Sequence, residues 1–282
     1  VEDVFSTYLW EGNGVSGRGI NNGIKLSNNN AGNSVEFNSA SSQAIITSHS
    51  NDFDFGSGDF TVEAWIKPTN ASQVDPVVVS LWNFPDGRRS WAIFGDTGGG
   101  SANYTGTIRG VVSPDGQWAT RTEISGTCTV NSWNHVAFIR NGNTLNFFVN
   151  GVSQGTASYT GSVYNNTSDG VMIGAMGDSA GGNNYFNGNI SNVRVVKGTA
   201  LYTSNFTPPT KALTSVTNTK LLCCQSSSSI TATTVNTSGG MTALGFPTVS
   251  YGPFTATDGE GGLVWIRRRN QATDHYLYDT TS

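Results

Sequence analysis

Charge is scarce in this sequence. Asp, Glu, Lys and Arg make up 12% of its 282 residues, against about 25% in ordinary globular domains. Fifteen Lys and Arg face nineteen Asp and Glu, for a net charge of −4. Cations so few and so scattered leave no electrostatic footprint for nucleic acid. The one basic cluster, Arg267, Arg268 and Arg269, reads as a solvated strand end, and no nucleic-acid partner is expected. Cysteine is also rare: Cys128, Cys223 and Cys224. No CxxC spacing occurs, which argues against zinc. On a strand, Cys223 and Cys224 would point to opposite faces. The thiols are expected to be small buried hydrophobes, with a disulfide from Cys128 left open. His49, His135 and His275 stand apart from any Ser or Cys nucleophile signature. No apolar run approaches the roughly 20 residues that cross a bilayer, so no membrane partner is expected. Val1 begins no recognisable signal peptide. The numbering starts without Met, so the chain is expected to be processed or part of a longer protein.

Glycine is plentiful, at 35 residues, and aromatics reach 11%. With abundant Asn, Ser and Thr, this composition predicts many short strands and turns. The strongest strand signal is Phe60–Pro68 (FTVEAWIKP). Phe60, Val62, Ala64 and Ile66 fall on one face, and Thr61, Glu63, Trp65 and Lys67 on the other, the period-two pattern of a half-buried strand. Pro68 ends it. The stretch Trp133–Gly151 (WNHVAFIRNGNTLNFFVNG) holds two apolar runs, each followed by Asn-Gly, at 141–142 and 150–151. Asn-Gly signals a type I′ hairpin turn, with positive φ at both central residues.

These two stretches and Phe186–Val195 (FNGNISNVRV) resemble the signature segments of the laminin-G-like, concanavalin-A-like jelly roll, in that family's order. The resemblance covers roughly residues 34–225. It implies an all-β fold, a two-sheet antiparallel jelly-roll sandwich; the strand patterns before and after it predict that it is flanked by parts of a second, host module that is also β-rich. It also implies that the first and last strands are neighbours. The expected boundaries are 1–30 for the first part of the host module and 31–225 for the jelly roll. A Ser/Thr/Gly-rich connection is expected over 226–257, and a continuing host module, unfinished at Ser282, over 258–282. Within the sandwich, strands are expected at Ser34–Phe37, Ala44–Thr47 and Thr219–Cys224. Hairpins are expected across Pro85-Asp86-Gly87 and Pro114-Asp115-Gly116, and Gly198–Pro209 is expected as an arm across a sheet edge. Val1–Leu26 and Gly259–Asp279, each with its own strand patterns, resemble adjoining parts of one module in structural proteins of marine tailed phages, especially those of cyanobacteria. That resemblance makes the jelly roll an insertion, which exposed host loops tolerate when the insert's ends are close.

Chemistry is weakly indicated. Retaining glycosidases need two carboxyls about 5–5.5 Å apart. Glu63 is the one carboxylate central to a strand, and positions 65 and 67 are Trp and Lys, so Glu63 reads as structural and no catalytic residue is assigned. No cofactor is assigned either. Some jelly rolls of the kind this sequence resembles hold Ca²⁺ at the rim; Asp52, Asp54 and Asp59, or Asp178 beside Asn183, are the candidate ligands, and turn formation is the competing role. Binding has better support. Trp82, Trp91, Tyr104 and Trp118 lie in or near the hairpins after the signature strand and can stack on sugar rings or make protein contacts; core packing is the alternative. An exposed aromatic is expected near Thr97–Tyr104, where Gly98, Gly99 and Gly100 cannot bury one. The expectation is a non-enzymatic virion protein of a tailed phage, a capsid decoration, fibre or tail-associated part. Its partners would be other virion proteins, copies of itself and a cell-surface glycan. The alternative is a secreted or cell-surface bacterial carbohydrate-binding or adhesion module.

Overall fold

A computed structural model describes residues 33–98, 102–177 and 184–254, together with the backbone of 263–267 and 275–279. The chain separates into two units, Ala31–Thr255 and the pair of segments Val1–Asn30 and Ala256–Ser282. The strands expected at Val4–Trp10 and Ile20–Leu26, and the residues Arg268, Arg269, Asp178 and Asn183, lie outside the described residues.

The larger unit holds β1 Ser34–Phe37, β2 Ala44–Thr47, β3 Phe60–Pro68, β4 Ser72–Gln73, β5 Val77–Asn83 and β6 Arg88–Gly95. Next come β7 Ala102–Asn103, β8 Thr107–Gly116, β9 Thr122–Thr127, β10 Asn134–Asn141, β11 Thr144–Val149 and β12 Val152–Ser158. The last are β13 Met172–Ile173, β14 Gly188–Lys197, β15 Thr219–Cys223, β16 Thr233–Asn236, β17 Met241–Leu244 and β18 Thr248–Ser250. In the other unit, β19 Leu263–Arg267 and β20 His275–Asp279 form an antiparallel pair.

Among the described residues one sheet has nine strands. Its order is β12-β11-β10-β3-β14-β1-β18, with β15 beside β14 and β16 beside β15. The second has seven, ordered β17-β2-β13-β5-β6-β8-β9. The two antiparallel sheets make a jelly-roll sandwich. The alternation of β3 decides which side faces in. Phe60, Val62, Ala64 and Ile66 join Val136, Phe138, Val193 and Val195 of the same sheet, against Ile45, Val79, Leu81, Trp91, Ile93 and Val112 of the other. The sheets approach closely at β8, where a Cβ on Gly110 would lie 2.4 Å from the Phe138 ring.

The second face of β3 is buried as well: Thr61 and Glu63 have no solvent exposure. The expected half-buried strand is therefore covered on both sides. The cover is the arm of residues 198–214, which crosses this face rather than a sheet edge. Ala200, Tyr202 and Phe206 pack on Ala137, Ile139 and Phe148. Thr61 Oγ1 donates to Thr199 O at 2.9 Å and accepts from Leu201 N at 2.9 Å, which pins the arm's first turn.

Turn chemistry is followed in part. Asn150 and Gly151 have φ of 50° and 75°, as a type I′ turn requires. A Cβ at Gly151 would meet Phe206 O at 1.9 Å. The β10–β11 loop is Gly142–Asn143, one position later than expected, because Asn141 still pairs with Thr144. Strand β8 runs through Pro114-Asp115-Gly116, and the chain reverses only at 117–121.

The largest correction concerns 226–257, expected as a connection. Three short strands in it complete the sandwich: β16 pairs with β15, β17 with β2 and β18 with β1. The last strand next to β1 is thus β18, with Ser34 opposite Ser250. Cys223 and Cys224 do not diverge. A φ of 62° turns Cys224 back, and the two sulfurs lie 3.7 Å apart in the core. All three cysteines are free. No helix among the described residues is long and apolar enough to cross a membrane.

Candidate functional site

Of the four aromatic residues singled out from the sequence, the structure buries three. Trp91 lies in the core, its Nε1 donating to Phe53 O at 2.9 Å. Tyr104 is buried with its hydroxyl 3.5 Å from Cys128 Sγ. Pairing of β7 with β4 folds the loop back and delivers the ring to the core. The expectation of an exposed aromatic near Thr97–Tyr104 is corrected on this point. Trp82 is buried among Val77, Ala92, Phe94, Val111 and Met176, a cluster separate from the main core. None of these three can present a stacking face to a ligand.

Trp118 is 38% exposed. The reversal at 117–121 carries it. Asp115 holds that reversal by accepting from Gln117 N at 2.9 Å and Thr120 Oγ1 at 2.5 Å. The indole meets Trp82 edge-on, with ring centres 6.2 Å apart, and Phe94 at 6.3 Å. The Arg121 guanidinium lies 3.7 Å from its ring centre. Arg121 donates in turn to both Glu123 oxygens, at 2.7 and 3.3 Å. Arg109 donates to the same carboxylate at 3.0 and 3.1 Å, pairs with Asp96, and lies over Phe94. Burial works to raise the Glu123 pKa, but the hydrogen bonds and charges of these two arginines outweigh it and hold the carboxyl low.

The result is an aromatic platform rimmed by two cations and two anions, with no net charge of its own. Trp82 Nε1 beneath it is buried without a hydrogen-bond partner among the described residues. The patch can offer a ring face and edge, a stacked guanidinium and carboxylate oxygens. Arg109, Arg121 and Glu123 were not singled out from the sequence. In sequence only the opposite charges of Arg121 and Glu123, two residues apart, hinted at this pair, with Arg121 at the end of the reversal and Glu123 on β9.

Glu63 is not available for chemistry. Its Oε1 accepts from Arg194 Nε at 2.7 Å, and Oε2 from the Tyr202 hydroxyl at 3.0 Å. His135 Nε2 lies 3.0 Å from Oε2. Burial alone would raise its pKa; the hydrogen bond from His135 and the interactions with Arg194 overcome this and hold it below the ordinary 4.5. An ionised carboxylate only accepts, so His135 Nε2 carries the proton and donates. The cluster clamps the arm through Tyr202, and through Arg194 Nη1, which donates to Thr214 O at 2.8 Å.

The proposed calcium ligands do not converge. Asp52 pairs with Lys220 at 3.0 Å, Asp54 Oδ1 accepts from Asn166 N at 3.2 Å, and Asp59 Oδ1 accepts from Gly142 N at 2.6 Å. Among the described residues no three His, Cys, Asp or Glu side chains could hold a metal. Asp52, Asp54 and Asp59 therefore do not fit Ca²⁺, and their partners give them turn- and loop-fixing roles.

A two-sheet antiparallel jelly roll with an aromatic patch on one sheet places this protein among the lectin-like sandwiches. The sequence matches the Laminin_G_3 model of the concanavalin A-like lectin/glucanases superfamily over residues 25–202, and the chain belongs to that family. In structure it is similar to a candidate carbohydrate-binding protein from Bacteroides ovatus ATCC 8483, with 16% identity and a TM-score of 0.54. That match covers 79% of this chain and 60% of the other. It is also similar to the heptameric SAP-like pentraxin of Limulus polyphemus, with 14% identity, a TM-score of 0.45, and coverage of 75% and 96%. The CBM40 of Ruminococcus gnavus IT-sialidase matches with 17% identity, a TM-score of 0.41, and coverage of 51% and 78%. At these identities the likeness is one of fold. No curated protein matches the sequence.

Proposed function

We propose that this chain is a non-enzymatic recognition module, inserted in a longer structural protein of a tailed phage and carried on the virion as a decoration, fibre or tail-associated part. The observation that carries this reading is the pairing of β1 with β18, Ser34 opposite Ser250. The chain enters and leaves the sandwich on adjacent strands, the geometry an exposed host loop accepts. The sequence resemblance of Val1–Leu26 and Gly259–Asp279 to adjoining parts of one phage module supports the same arrangement. Recognition rather than catalysis is supported by the Glu63 carboxylate, whose oxygens are taken up by Arg194, Tyr202 and His135. Contacts to a neighbouring virion protein or a glycan are assigned to Trp118 and the Arg109, Arg121 and Glu123 side chains around it. Copies on a virion repeat, so self-association is part of the proposal.

A second reading is a secreted or cell-surface carbohydrate-binding or adhesion module of a bacterium. Membership of a lectin/glucanase family and the shared fold with the Bacteroides protein favour it. The test is binding of the fluorescently labelled chain to purified phage particles and to host cells. Saturable binding to either, weakened at least tenfold by Trp118→Ala, is expected. Equal binding by the variant removes the patch from the account, and no saturable binding to either overturns the recognition reading.

A further inference from the structure

Successive side chains of a strand point to opposite faces, so two adjacent cysteines at the end of β15 should hold their thiols apart. Here both thiols lie in the core, 1% and 2% exposed, with the sulfurs 3.7 Å from each other. Cys223 is the last residue of β15, opposite Val193 of β14 and Thr233 of β16. Cys224 follows with φ of 62°. The left-handed region is disfavoured for a residue that carries a Cβ, and this turn of the backbone brings the second thiol round to the first. Conformations of this kind gather at sites where the strain has a use.

The turn is held from several sides. Cys224 O accepts from Asn192 N at 3.3 Å, and Gln225 O accepts from Asn33 N at 3.3 Å. The Gln225 side chain donates to Asn192 Oδ1 at 2.6 Å and to Leu213 O at 2.8 Å, and its Oε1 accepts from Thr234 Oγ1 at 3.0 Å. These bonds join β14, the arm, β16 and the residue before β1 to one junction, where the chain leaves β15 for the strands that complete the sandwich. The approach of the two sulfurs is thus set by the fold. Cys128 has other neighbours: its Sγ donates to Gly106 O at 3.3 Å and lies 3.5 Å from the Tyr104 hydroxyl.

We infer that Cys223 and Cys224 are an oxidation site, which closes reversibly to a disulfide between neighbouring residues by exchange with a small-molecule disulfide. The sulfurs must move from 3.7 Å to a bond of about 2.0 Å, with the backbone turn already made. Burial and the adjacent sulfur keep the Cys223 thiol protonated. The thiolate is the attacking form, so Cys224 attacks first, forms a mixed disulfide and releases one small-molecule thiol. Cys223 then attacks the Cys224 sulfur, and its proton goes to the second thiol that leaves. Two protein thiols lose two protons and two electrons, and one small-molecule disulfide becomes two thiols. Disulfides persist outside cells and are kept reduced in the cytosol. Closure therefore follows release of the protein, on a virion or as a secreted module alike, and it locks the junction between β15 and β16.

The test is equilibration of the full chain in glutathione buffers of graded composition, approached from the reduced and the oxidised side. Acid quenching, maleimide labelling and mass spectrometry of tryptic peptides read the result. Trypsin places the pair in peptide 221–267 and Cys128 in peptide 122–140. In oxidising buffers peptide 221–267 is expected to lose two hydrogens and take up no maleimide, while Cys128 stays labelled. The same series in urea supplies the reference, because there the cysteines are still adjacent and the turn is no longer held. Half-oxidation of the folded chain is expected at a ratio of oxidised glutathione to the square of reduced glutathione at least about tenfold lower than in urea. Cys224→Ser is expected to keep Cys223 open to maleimide after denaturation. An equal or higher ratio for the folded chain would overturn the inference. So would glutathione retained on Cys223 or Cys224, or a disulfide from either to Cys128 or to a second copy.

Discussion

Replacing Glu63 with Gln tests what holds the arm to the nine-stranded sheet. The carboxylate accepts from Arg194 and Tyr202 and receives the Nε2 proton of His135, with no exposure to water. Glutamine keeps the shape but turns an NH₂ group toward donors and leaves the Arg194 guanidinium uncompensated. Removing one partner of a buried ion pair costs about 3–5 kcal/mol. With a urea m-value of about 3 kcal/mol/M for a domain of this size, the midpoint falls by roughly 1–1.7 M. Tyr202→Phe removes one hydrogen bond to a charged group, and about 1.5–3 kcal/mol is expected. It also serves where Glu63→Gln fails to fold. The assay is urea unfolding followed by tryptophan fluorescence. A Glu63→Gln chain within about 1 kcal/mol of the parent would refute the reasoning, since an unpaired buried arginine cannot be that cheap.

The same variant alters the acid limb of stability. The folded pKa of Glu63 lies below its ordinary 4.5. Its contribution is therefore complete above about that pH and is lost as pH falls through the folded value. Glu63→Gln is expected to show a shallower fall below pH 4.5. Part of the slope remains, because Asp169 behaves alike: burial opposes its ionisation, and hydrogen bonds from Arg88 and Asn166 outweigh the burial.

Two further stability outcomes follow from backbone geometry. Gly110→Ala forces a methyl into the Phe138 ring at 2.4 Å, and overpacking of this kind costs about 1–3 kcal/mol, measurable in the same urea assay. Phe246→Asn, by contrast, places a residue tolerant of the left-handed region at φ of 56°. It is expected to raise stability by about 0.5–1 kcal/mol, read as a higher Tm. Destabilisation by Phe246→Asn would mean that the exposed ring contributes packing.

The core was legible because the core-facing residues of β3 alternate without interruption, and because Asn150-Gly151 admits few alternatives to a type I′ turn. What stayed hidden depends on contacts distant in sequence. Glu63 sits on the face opposite Phe60 and Val62, and alternation alone marks that face as solvent. Only the arm, more than 130 residues later in the chain, reveals it as interior. Strands β16, β17 and β18 are short, polar and half-exposed, so they carry no apolar alternation. Their partners, not their composition, make them strands. Trp82, Trp91 and Tyr104 look in sequence like Trp118, and only register and loop path sort them into buried and exposed. Phe246 passed as an ordinary loop residue, because a positive φ at phenylalanine has no sequence signal.

The central claim is that this sandwich is a recognition part built into a virion. Mass spectrometry of purified particles from a cyanobacterial phage lysate tests it most directly, by counting peptides of this chain against the major capsid protein. The account predicts a stoichiometric presence, on the order of tens to hundreds of copies per particle, as repeated virion parts require. Absence from intact particles, with the chain found in the medium or on cells, would contradict it and leave the secreted or cell-surface binding module in its place.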